Sequence, residues 1–507
     1  MRIVKKLLLL GVVMTTLAVI SGASAQGVNP GVSKANIFLQ NLSQTSENAD
    51  ITLQFTRGDG ITVAPSSFEE QVIGLAPGGA KYLLYTRGWQ DPEETTVADG
   101  WAGAVEVASS QPLAAIVNLF WDGNASAGTY PGVDTASHDV YLPNLLVRNG
   151  RLTMVYIQNT ESTQCTDVDL HYYNRDGDPV MDDTGNTIPA NTQITLDLSD
   201  ENPDFSATAG TGSLHIHSDS CNLAAVATVH YPSGDRGSAA YRGFTGGETK
   251  VWFPSIFRRQ SGTTWQLYNA TIVQNLGSLD APVTVHFIGK GSSATASVND
   301  TIKAKASNGY NMITQGTASS NVWNTIQSLG TNWVGTIMVE STGSSPQPLA
   351  GVGFYFSINN VPDVMAFESI GDSTASDKLY SPAVYRKYLG NTSDQWSATL
   401  VQNLCDSPIE TEIDFFDSAG AHAAGPYDVP IDANSSVGLN LHAGVDLPDQ
   451  ALTDLGTSYS GGMVVSVVDP SSDNDCVIGV TNIFYESKVA PGNSRERGAA
   501  YPLFPAP

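Results

Sequence analysis

Half of the eight histidines in this 507-residue chain fall between positions 171 and 230. Two of them, His215 and His217, alternate in the run SLHIHS, so on a β-strand their side chains lie on the same face. Imidazole nitrogens bind zinc and other transition metals, and a neighbouring strand would have to supply a third ligand. His215, His217 and His230 are therefore candidate metal ligands. The alternative is a strand whose histidines face solvent.

Carboxylates crowd one turn of the same region, YNRDGDPVMDD at 173–183. Asp176 and Asp178 alternate there as oxygen ligands do in a calcium loop, although the full EF-hand spacing is absent. Calcium is the cation that such a turn would favour, although we assign no cofactor to the chain. The alternative is an ordinary glycine turn, as in the matching segments TRGDG, IGKGSS and FDSAG.

Motifs of known catalytic sites are missing from the sequence. It contains no G-x-S-x-G nucleophile elbow, no H-E-x-x-H helix and no G-x-x-x-x-G-K phosphate loop. Paired carboxylates such as Asp182-Asp183 occur, but an acidic chain contains such pairs by chance. We therefore assign no catalytic residue and expect a protein that is not an enzyme.

The chain has four cysteines, which allow three disulfide connectivities. The repeat described below places two in each of two units, so it favours Cys165 with Cys221 and Cys405 with Cys476, which are 56 and 71 positions apart. Such bridges form in oxidising compartments. The alternatives are thiolate metal ligands or a reactive cysteine.

A repeated phrase organises the elements that would position these residues. An apolar run followed by Gln-Asn occurs four times, ending at Asn41, Asn159, Asn275 and Asn403, with separations of 118, 116 and 128 residues. This period is the size of one small domain. The phrase predicts four tandem units at residues 26–148, 149–260, 261–389 and 390–507, after a leader at 1–25.

Strand patterns recur inside each unit. A glycine-bearing strand follows each Asn after 53 to 62 residues, and a Pro-bearing strand such as VYLPNLL closes the unit. The last unit has roughly seven strand-like runs, with alternating segments such as TEIDFF and turn signals between them. We predict an all-β chain of four tandem immunoglobulin-like antiparallel β-sandwich domains.

The Gln-Asn pair stands where an apolar strand ends. Asn side chains bond nearby backbone groups and tolerate unusual turn dihedrals. Because the pair occurs in all four units, we expect a structural role. The alternative is a polar contact with a ligand.

Charge and the leader restrict where the protein acts. The formal net charge is -26, and such a surface would repel polyanions, so nucleic acid is not an expected partner. Residues 1–25 have Arg2, Lys5 and Lys6 before an apolar run and end in Ala-Ser-Ala, the pattern of a secretory signal peptide. No later segment approaches the roughly 20 apolar residues of a membrane span. We expect a secreted protein, extracellular or at the cell surface.

Three segments carry a resemblance to a known repeat: YLPNLLVRNGRLTMVYIQN, FPSIFRRQSGTTWQLYNATIVQN and YSPAVYRKYLGNTSDQWSATLVQN. They resemble the repeat of uncharacterised secreted bacterial envelope proteins, in which Y-x-P, φ-Q-N and G-S-φ-V-φ-x-S strands mark each immunoglobulin-like unit. The resemblance covers almost all of the chain after the leader. It implies an architecture and transfers no catalytic residue. The first unit departs from it by lacking a Trp before its Gln-Asn.

These features favour a non-catalytic structural or adhesive cell-surface protein, such as a spacer, coat or fibre subunit. The alternative is an extracellular glycan-binding accessory protein, for which eight tryptophans would supply aromatic surface. Self-association is the expected interaction, because the final strand, GAAYPLFP, would present an uncovered edge. Head-to-tail packing of the fourth unit on the first unit of another chain would then build filaments.

Overall fold

Antiparallel β-strands make up almost all of the computed structural model, which describes residues 8–14, 34–84, 101–121, 126–231, 237–357, 363–389, 393–468, 475–489 and 493–507. The strands form five sheets. The prediction of an all-β chain is confirmed. Alternating sequences produce alternating burial, as in ADITLQF, where every second side chain from Ala49 to Phe55 is buried.

The first repeat has eight strands in two four-stranded sheets. They are β1 (Leu8–Met14), β2 (Lys34–Asn41), β3 (Ala49–Arg57), β4 (Ser67–Leu75), β5 (Ala80–Leu84), β6 (Gly103–Ser109), β7 (Leu113–Trp121) and β8 (Ser126–Pro131). The strand orders are β1-β6-β3-β4 and β5-β2-β7-β8.

The second repeat has eight strands and one short helix. They are β9 (Asp139–Arg148), β10 (Arg151–Asn159), β11 (Cys165–Asn174), β12 (Pro179–Ile188), β13 (Gln193–Asp197), α1 (Leu198–Glu201), β14 (Thr211–His217), β15 (Leu223–His230) and β16 (Ser238–Arg242), with a 3-10 turn at Ser206–Thr208.

The third and fourth repeats each add a short ninth strand. The third contains β17 (Lys250–Ser261), β18 (Thr264–Asn275), β19 (Ala281–Gly289), β20 (Ala296–Ile302), β21 (Ser307–Asn311), α2 (Ser320–Ser328), β22 (Asn332–Ser341), β23 (Leu349–Ser357), β24 (Asp363–Glu368) and β25 (Ile370–Gly371), followed by a 3-10 turn at Asp372–Thr374. The fourth contains β26 (Lys378–Leu389), β27 (Ser393–Asn403), β28 (Ile409–Asp417), β29 (His422–Ile431), β30 (Ser436–Asn440), α3 (Asp449–Leu455), β31 (Ser458–Val467), β32 (Val477–Val489), β33 (Asn493–Pro502) and β34 (Phe504–Pro505).

All four repeats share one pairing scheme. Across the sheet of each of repeats two to four, the strands lie in the order fourth, third, sixth, first, second, seventh and eighth. The fifth strand pairs with the second and lies outside this order. Repeat one has the same neighbours, except that among the described residues no pairing joins its first and second strands. In repeat four, Ile413 and Val465 from one half share a core with Val401 and Val477 from the other. The two halves of this continuous sheet therefore pack face to face, as the two sheets of a β-sandwich do.

The Pro-bearing strands belong to the sheets that follow them in the chain. β9 pairs with β14 and turns at residues 148–151 to pair with β10, and β17 and β26 pair forward in the same way. Hydrogen bonding thus divides the chain before these strands, whereas the sequence units end after them at 148, 260 and 389. The amino-acid pattern marks a strand but does not show which neighbour it pairs with.

Part of the predicted leader lies within the described structure. β1 pairs along its whole length with β6, in the position that β9, β17 and β26 take in the later repeats. Residues 1–7 and 15–25, with the predicted cleavage site, lie outside the described residues. The signal peptide stays a prediction.

The four repeats close into a ring. β8 contacts β16, β16 contacts β24, β24 contacts β33, and β33 contacts β8. The first strand of each repeat also contacts the second and seventh strands of the next repeat, and β26 contacts β2 and β7 to complete the cycle. β8 and β24 are buried along their whole length. The sequence did not indicate this arrangement, because the same strand pattern in each repeat is expected for a straight array and for a closed one.

Contacts between the first and last repeats close the ring. Tyr501 and Tyr385 of repeat four share a core with Phe38 and Ile116 of repeat one. Tyr501 is fully buried, so the final strand is covered within its own chain. Around Tyr501, repeats one and four contact each other within one chain. Self-association stays a prediction.

A buried carboxylate lies between two eighth strands of the ring. Glu368 is 2% exposed, and its Oε1 accepts a hydrogen bond from the backbone N–H of Arg242 at 2.6 Å. Its Oε2 is buried without a hydrogen-bond partner among the described residues. Burial raises the pKa of Glu368 to about 7.

Replacing Glu368 with Gln is expected to stabilise the protein at pH 8 by about 2 kcal/mol and to leave it almost unchanged at pH 5. Because the folded pKa lies above the unfolded one, the folded state keeps a proton that the unfolded state loses, and stability falls as pH rises from about 4.5 to about 7. Urea unfolding of both proteins at the two pH values measures the effect. The exposed Glu410→Gln is the control, and an equal difference at both pH values would contradict the expectation.

The four repeated asparagines brace the turns after their strands, and all are fully buried. Asn403 Nδ2 donates to the carbonyls of Ser407, Ile431 and Asp432 at 2.9, 3.2 and 3.1 Å, and its Oδ1 accepts from the N–H of Cys405 at 2.8 Å. Asn41, Asn159 and Asn275 each accept from the N–H two residues later in the same way. The structural role expected for this Asn is confirmed.

Replacing Asn403 with Ala is expected to lower the free energy of unfolding by about 3 kcal/mol, because buried carbonyls and an N–H lose their partner. Denaturant unfolding of the full chain measures the loss. Asn299→Ala removes an exposed strand asparagine and should cost less than 1 kcal/mol, roughly the cost of a surface substitution. Equal stabilities for the two variants would show that the Asn403 hydrogen bonds contribute little.

Two of the neighbouring glutamines, Gln274 and Gln402, link adjacent repeats. Gln274 Nε2 donates to Ser213 Oγ of repeat two at 2.8 Å, and Gln402 Oε1 accepts from Thr336 Oγ1 of repeat three at 2.7 Å. The two members of the Gln-Asn pair therefore have different roles. Asn stabilises its own repeat, whereas Gln274 and Gln402 contact the preceding one.

The glycine of each sixth strand lies where two strands approach closely under an aromatic ring. A Cβ on Gly335 would lie 2.1 Å from the carbonyl oxygen of Ile288 and 2.7 Å from the ring of Trp333. Gly103, Gly212 and Gly461 meet a carbonyl oxygen and an aromatic side chain in the same way. Any larger residue would separate the strands, which explains the recurring glycine.

The two predicted disulfides are confirmed. Cys165 bonds to Cys221 and Cys405 to Cys476, with Cα–Cα distances of 5.9 and 5.5 Å. Two disulfides are typical of an oxidising environment. None of the helices in the described residues has the length and apolar character needed to span a membrane.

Candidate functional site

The histidine cluster is built on three neighbouring strands of repeat two. On β14, Ile216 points into the core, so His215 and His217 lie on the other face. The register places Asp139 of β9 opposite His217, and His171 of β11 opposite His215. The fold therefore brings together residues that are up to 78 positions apart.

One carboxylate oxygen contacts both histidines of β14. Asp139 Oδ1 lies 2.7 Å from His215 Nε2 and 2.9 Å from His217 Nδ1. These three donor atoms all lie within 4.8 Å of one another. Asp139 stands where the sequence required a third ligand from a neighbouring strand, and it was not itself predicted.

Surrounding side chains hold the histidines in place. His217 Nε2 lies 3.2 Å from Asp219 Oδ1, and the Tyr141 ring stacks on His215 at a centroid distance of 4.4 Å. His171 lies beside the group, with its ring centroid 5.6 Å from that of His215 and its Nδ1 2.8 Å from Asp182 Oδ1. All three residues of the central group are partly exposed, so solutes can reach it.

The electrostatics of the cluster keep its carboxylate ionised. Burial alone would raise the pKa of Asp139, but hydrogen bonds with His215 and His217 outweigh it and hold the pKa below its usual range. Burial lowers the pKa of His215. Burial acts in the same direction on His217, yet hydrogen bonds with Asp139 and Asp219 raise its pKa overall. The group therefore combines an anionic oxygen with two imidazoles.

His230, the third predicted ligand, lies elsewhere. It is fully buried, with Nε2 2.9 Å from Thr228 Oγ1 and Nδ1 2.8 Å from Ser238 Oγ. Burial lowers its pKa to about 3. Its imidazole packs perpendicular to the indole of Trp121 from repeat one, with the ring centroids 5.2 Å apart. His230 is therefore a buried, neutral residue that contacts repeat one, and it is separate from the His215 cluster.

The predicted calcium turn is held by an asparagine. Asn174 Oδ1 accepts from the N–H groups of Asp176 and Asp178 at 3.0 Å each. Among the described residues, the Asp176 and Asp178 carboxylates belong to no set of three ligand atoms within 4.8 Å. Asp182 turns away to His171. In the described structure the carboxylates of this turn thus do not converge on one point.

Most tryptophans proposed for an aromatic surface are used in packing. Trp101, Trp121, Trp252 and Trp333 are at most 6% exposed. Three others are partly buried, and they are Trp265, Trp323 and Trp396. Trp89 lies outside the described residues. The buried ones pack in the sandwiches and the ring and cannot form a binding platform.

An arginine-lined cavity between repeats two and three was not predicted. It measures about 360 Å³ and is lined by Arg148, Arg151, Arg175, Tyr268 and Phe354 among others, with no Asp or Glu among its described lining residues. Arg148 and Arg151 flank one turn and Arg175 lies in another. The fold of the repeat brings the two turns together. The spacing of these arginines in the sequence therefore did not predict the cavity.

Neighbouring guanidinium groups crowd the cavity. Arg148 Nη1 donates to the Ala209 carbonyl at 2.9 Å, and Arg175 Nη2 donates to Asn144 Oδ1 at 3.1 Å. The Nε atoms of Arg148 and Arg175 are buried with no hydrogen-bond partner in the described structure. Burial, followed by the charge of Arg148, lowers the pKa of Arg175 to about 10. An anion in this cavity would relieve that repulsion.

Comparison with known proteins adds little to this description. No family model matches the sequence, and no curated protein matches it. A solved structure of a Thermotoga maritima protein, 1070, is 16% identical and covers 25% of this chain and 96% of its own, with a TM-score of 0.19. Escherichia coli alpha-2-macroglobulin activated by porcine elastase is 10% identical and covers 99% of this chain and 44% of its own, with a TM-score of 0.10. At these TM-scores neither resemblance assigns a fold or a function to the chain.

Proposed function

We propose that this chain is a secreted, non-catalytic structural or adhesive protein of the cell surface, in which four immunoglobulin-like sandwiches form a rigid ring. The cyclic packing of the four eighth strands supports this proposal most directly. The features common to the four repeats serve folding and closure, as Asn403 and Gly335 do. A ring of this kind is a compact frame that presents loops, and it differs from the extended spacer expected of a straight array.

Two experiments test the proposal. Fractionation of the native cells should place the chain outside the cytoplasm with both disulfides formed, because Cys165 and Cys405 are paired. Small-angle scattering of the purified chain should give a compact particle. A cytoplasmic protein with free thiols, or an elongated rod in solution, would refute the proposed role.

Glycan binding is a second candidate function, and the arginine-lined cavity favours it. Guanidinium groups bind carboxylates and sulfates through paired N–H donors, and rings such as Tyr268 pack on sugar faces. The ligand class would be an acidic glycan with uronic acid or sulfate groups. The alternative of a neutral glycan finds less support, since most of the described tryptophans are buried.

Titration calorimetry with an oligouronate and with a neutral oligosaccharide of equal length tests this second function. We expect binding of the acidic ligand alone, and loss of that binding in Arg175→Gln. Lys303→Gln, which removes an exposed cation elsewhere in repeat three, is the charge-matched control. Equal binding of both ligands, or equal losses in both variants, would exclude the cavity as the site.

A further inference from the structure

We propose that Asp139, His215 and His217 bind a divalent transition metal, with zinc as the best match. The donors are Asp139 Oδ1, His215 Nε2 and His217 Nδ1. Two imidazoles and one carboxylate are a common ligand set for zinc sites that keep a fourth position open. Calcium and magnesium prefer oxygen ligands, so these nitrogens select against them.

The spacing of the donors fits one ion after small side-chain rotations. Zinc lies about 2.0 to 2.2 Å from nitrogen and oxygen ligands, which places the donors of a tetrahedral site roughly 3.3 Å apart. Asp139 Oδ1 is 2.7 Å from one histidine donor and 2.9 Å from the other, and all three donors lie within 4.8 Å. Because both strands are central in the sheet, the backbone already holds the ligands at this spacing.

Second-sphere contacts are also those of a metal site. A metal-binding imidazole usually donates its other N–H to a carboxylate, and Asp219 Oδ1 stands 3.2 Å from His217 Nε2. Tyr141 stacks flat on His215, with an interplanar angle of 7°. His171 is the next imidazole beyond the three ligands, and its orientation is held by Asp182. The open fourth position would take water or a group from a partner.

The carboxylates around His217 are placed so that a metal ion could bind on one side of its ring. His217 has a carboxylate oxygen beside each ring nitrogen, with Asp139 Oδ1 2.9 Å from Nδ1 and Asp219 Oδ1 3.2 Å from Nε2. Asp139 Oδ1 must at the same time accept from two rings. With a metal on Nδ1, a neutral His217 keeps one N–H for Asp219, and Asp139 has a cation to bind.

The other repeats show that folding does not require these residues. The register pair formed by Asp139 and His217 is replaced by Lys250 and Glu340 in repeat three and by Lys378 and Ser466 in repeat four. Lys250 and Glu340 form an ordinary ion pair at 4.0 Å. A strand pair that folds with those residues elsewhere does not need two histidines and an aspartate, so the cluster has a separate role.

The test uses untagged, oxidised full-length protein that has been dialysed against a chelator. Titration calorimetry with zinc chloride should show one zinc per chain, and cobalt(II) should give the visible absorption of a tetrahedral site. His215→Ala should abolish both signals. Asp219→Ala should weaken zinc binding roughly 10- to 100-fold, because it removes a second-sphere partner.

His422→Ala is the matched control, since His422 Nε2 contacts only one carboxylate in the described residues, Asp414 Oδ1 at 2.8 Å. Its zinc affinity should equal that of the unchanged protein. Circular dichroism of each variant checks folding. No zinc uptake by the unchanged protein at about 100 μM free metal, or equal losses in His215→Ala and His422→Ala, would overturn the proposal.

Discussion

Replacing Tyr501 with Ala is expected to lower the free energy of unfolding by about 5 kcal/mol and to open the ring. The Tyr501 ring is fully buried and belongs to the core that joins repeats one and four. Its hydroxyl donates to the Ala383 carbonyl at 2.8 Å and accepts from the Ala383 N–H at 3.1 Å. The variant therefore loses packing across the junction and leaves buried backbone groups without partners. Denaturant unfolding measures the loss of stability, and small-angle scattering measures the expected increase in radius of gyration.

Two control variants separate packing from hydrogen bonding. Tyr501→Phe keeps the aromatic side chain in the junction between repeats one and four. It should lower the free energy of unfolding by about 1.5 kcal/mol, with no change in particle size. Tyr427→Ala removes a buried ring from the core of repeat four alone, so it should destabilise the chain without changing its radius. If Tyr501→Ala stays within about 1 kcal/mol of the unchanged protein, the junction between repeats one and four contributes little to stability.

Removing the bridge between Cys405 and Cys476 by double Ala substitution is expected to lower the free energy of unfolding by about 4 kcal/mol. The bridge closes a loop of 71 residues, and its loss enlarges the set of conformations open to the unfolded chain. It joins the loop after the Asn403 strand to the loop before β32, so the turn braced by Asn403 also loses support. Urea unfolding of the full chain, without reductant, measures the change.

The same substitutions at Cys165 and Cys221 provide the comparison, since that bridge closes a loop of 56 residues and should contribute a similar amount. Reductant should destabilise the unchanged protein by about the sum of the two effects, roughly 8 kcal/mol, and should not affect a variant lacking all four cysteines. An unchanged urea midpoint after complete reduction would contradict this account.

Local features were predictable from residue types alone. Alternating apolar positions predicted strands, because successive side chains in a strand point to opposite faces. The repeated phrase that ends at Asn403 in the last repeat predicted four similar sets of strands. The side chain of Asn403 acts within a few residues of its own turn, so its structural role followed from the sequence. Repeat membership was enough to pair Cys165 with Cys221, because each bridge closes within one repeat.

Other features depended on where strands lie after folding. Asp139 joins His215 because β9 pairs forward with β14, and the Pro-bearing pattern of β9 is compatible with pairing in either direction. His230 resembles its fellow histidines in sequence, yet it is fully buried against Trp121 of repeat one, and burial keeps it neutral.

The amino-acid sequence by itself determined the all-β class, the four-fold repetition and the disulfide partners, because each rests on local periodicity or on repeat membership. Only the tertiary structure decided that β33 covers β8 to close a ring, that Arg148 and Arg175 line one cavity, and that Asp139 stands between two histidines. These are contacts between segments far apart in the chain, and their energies depend on distance in space, which the order of residues does not contain.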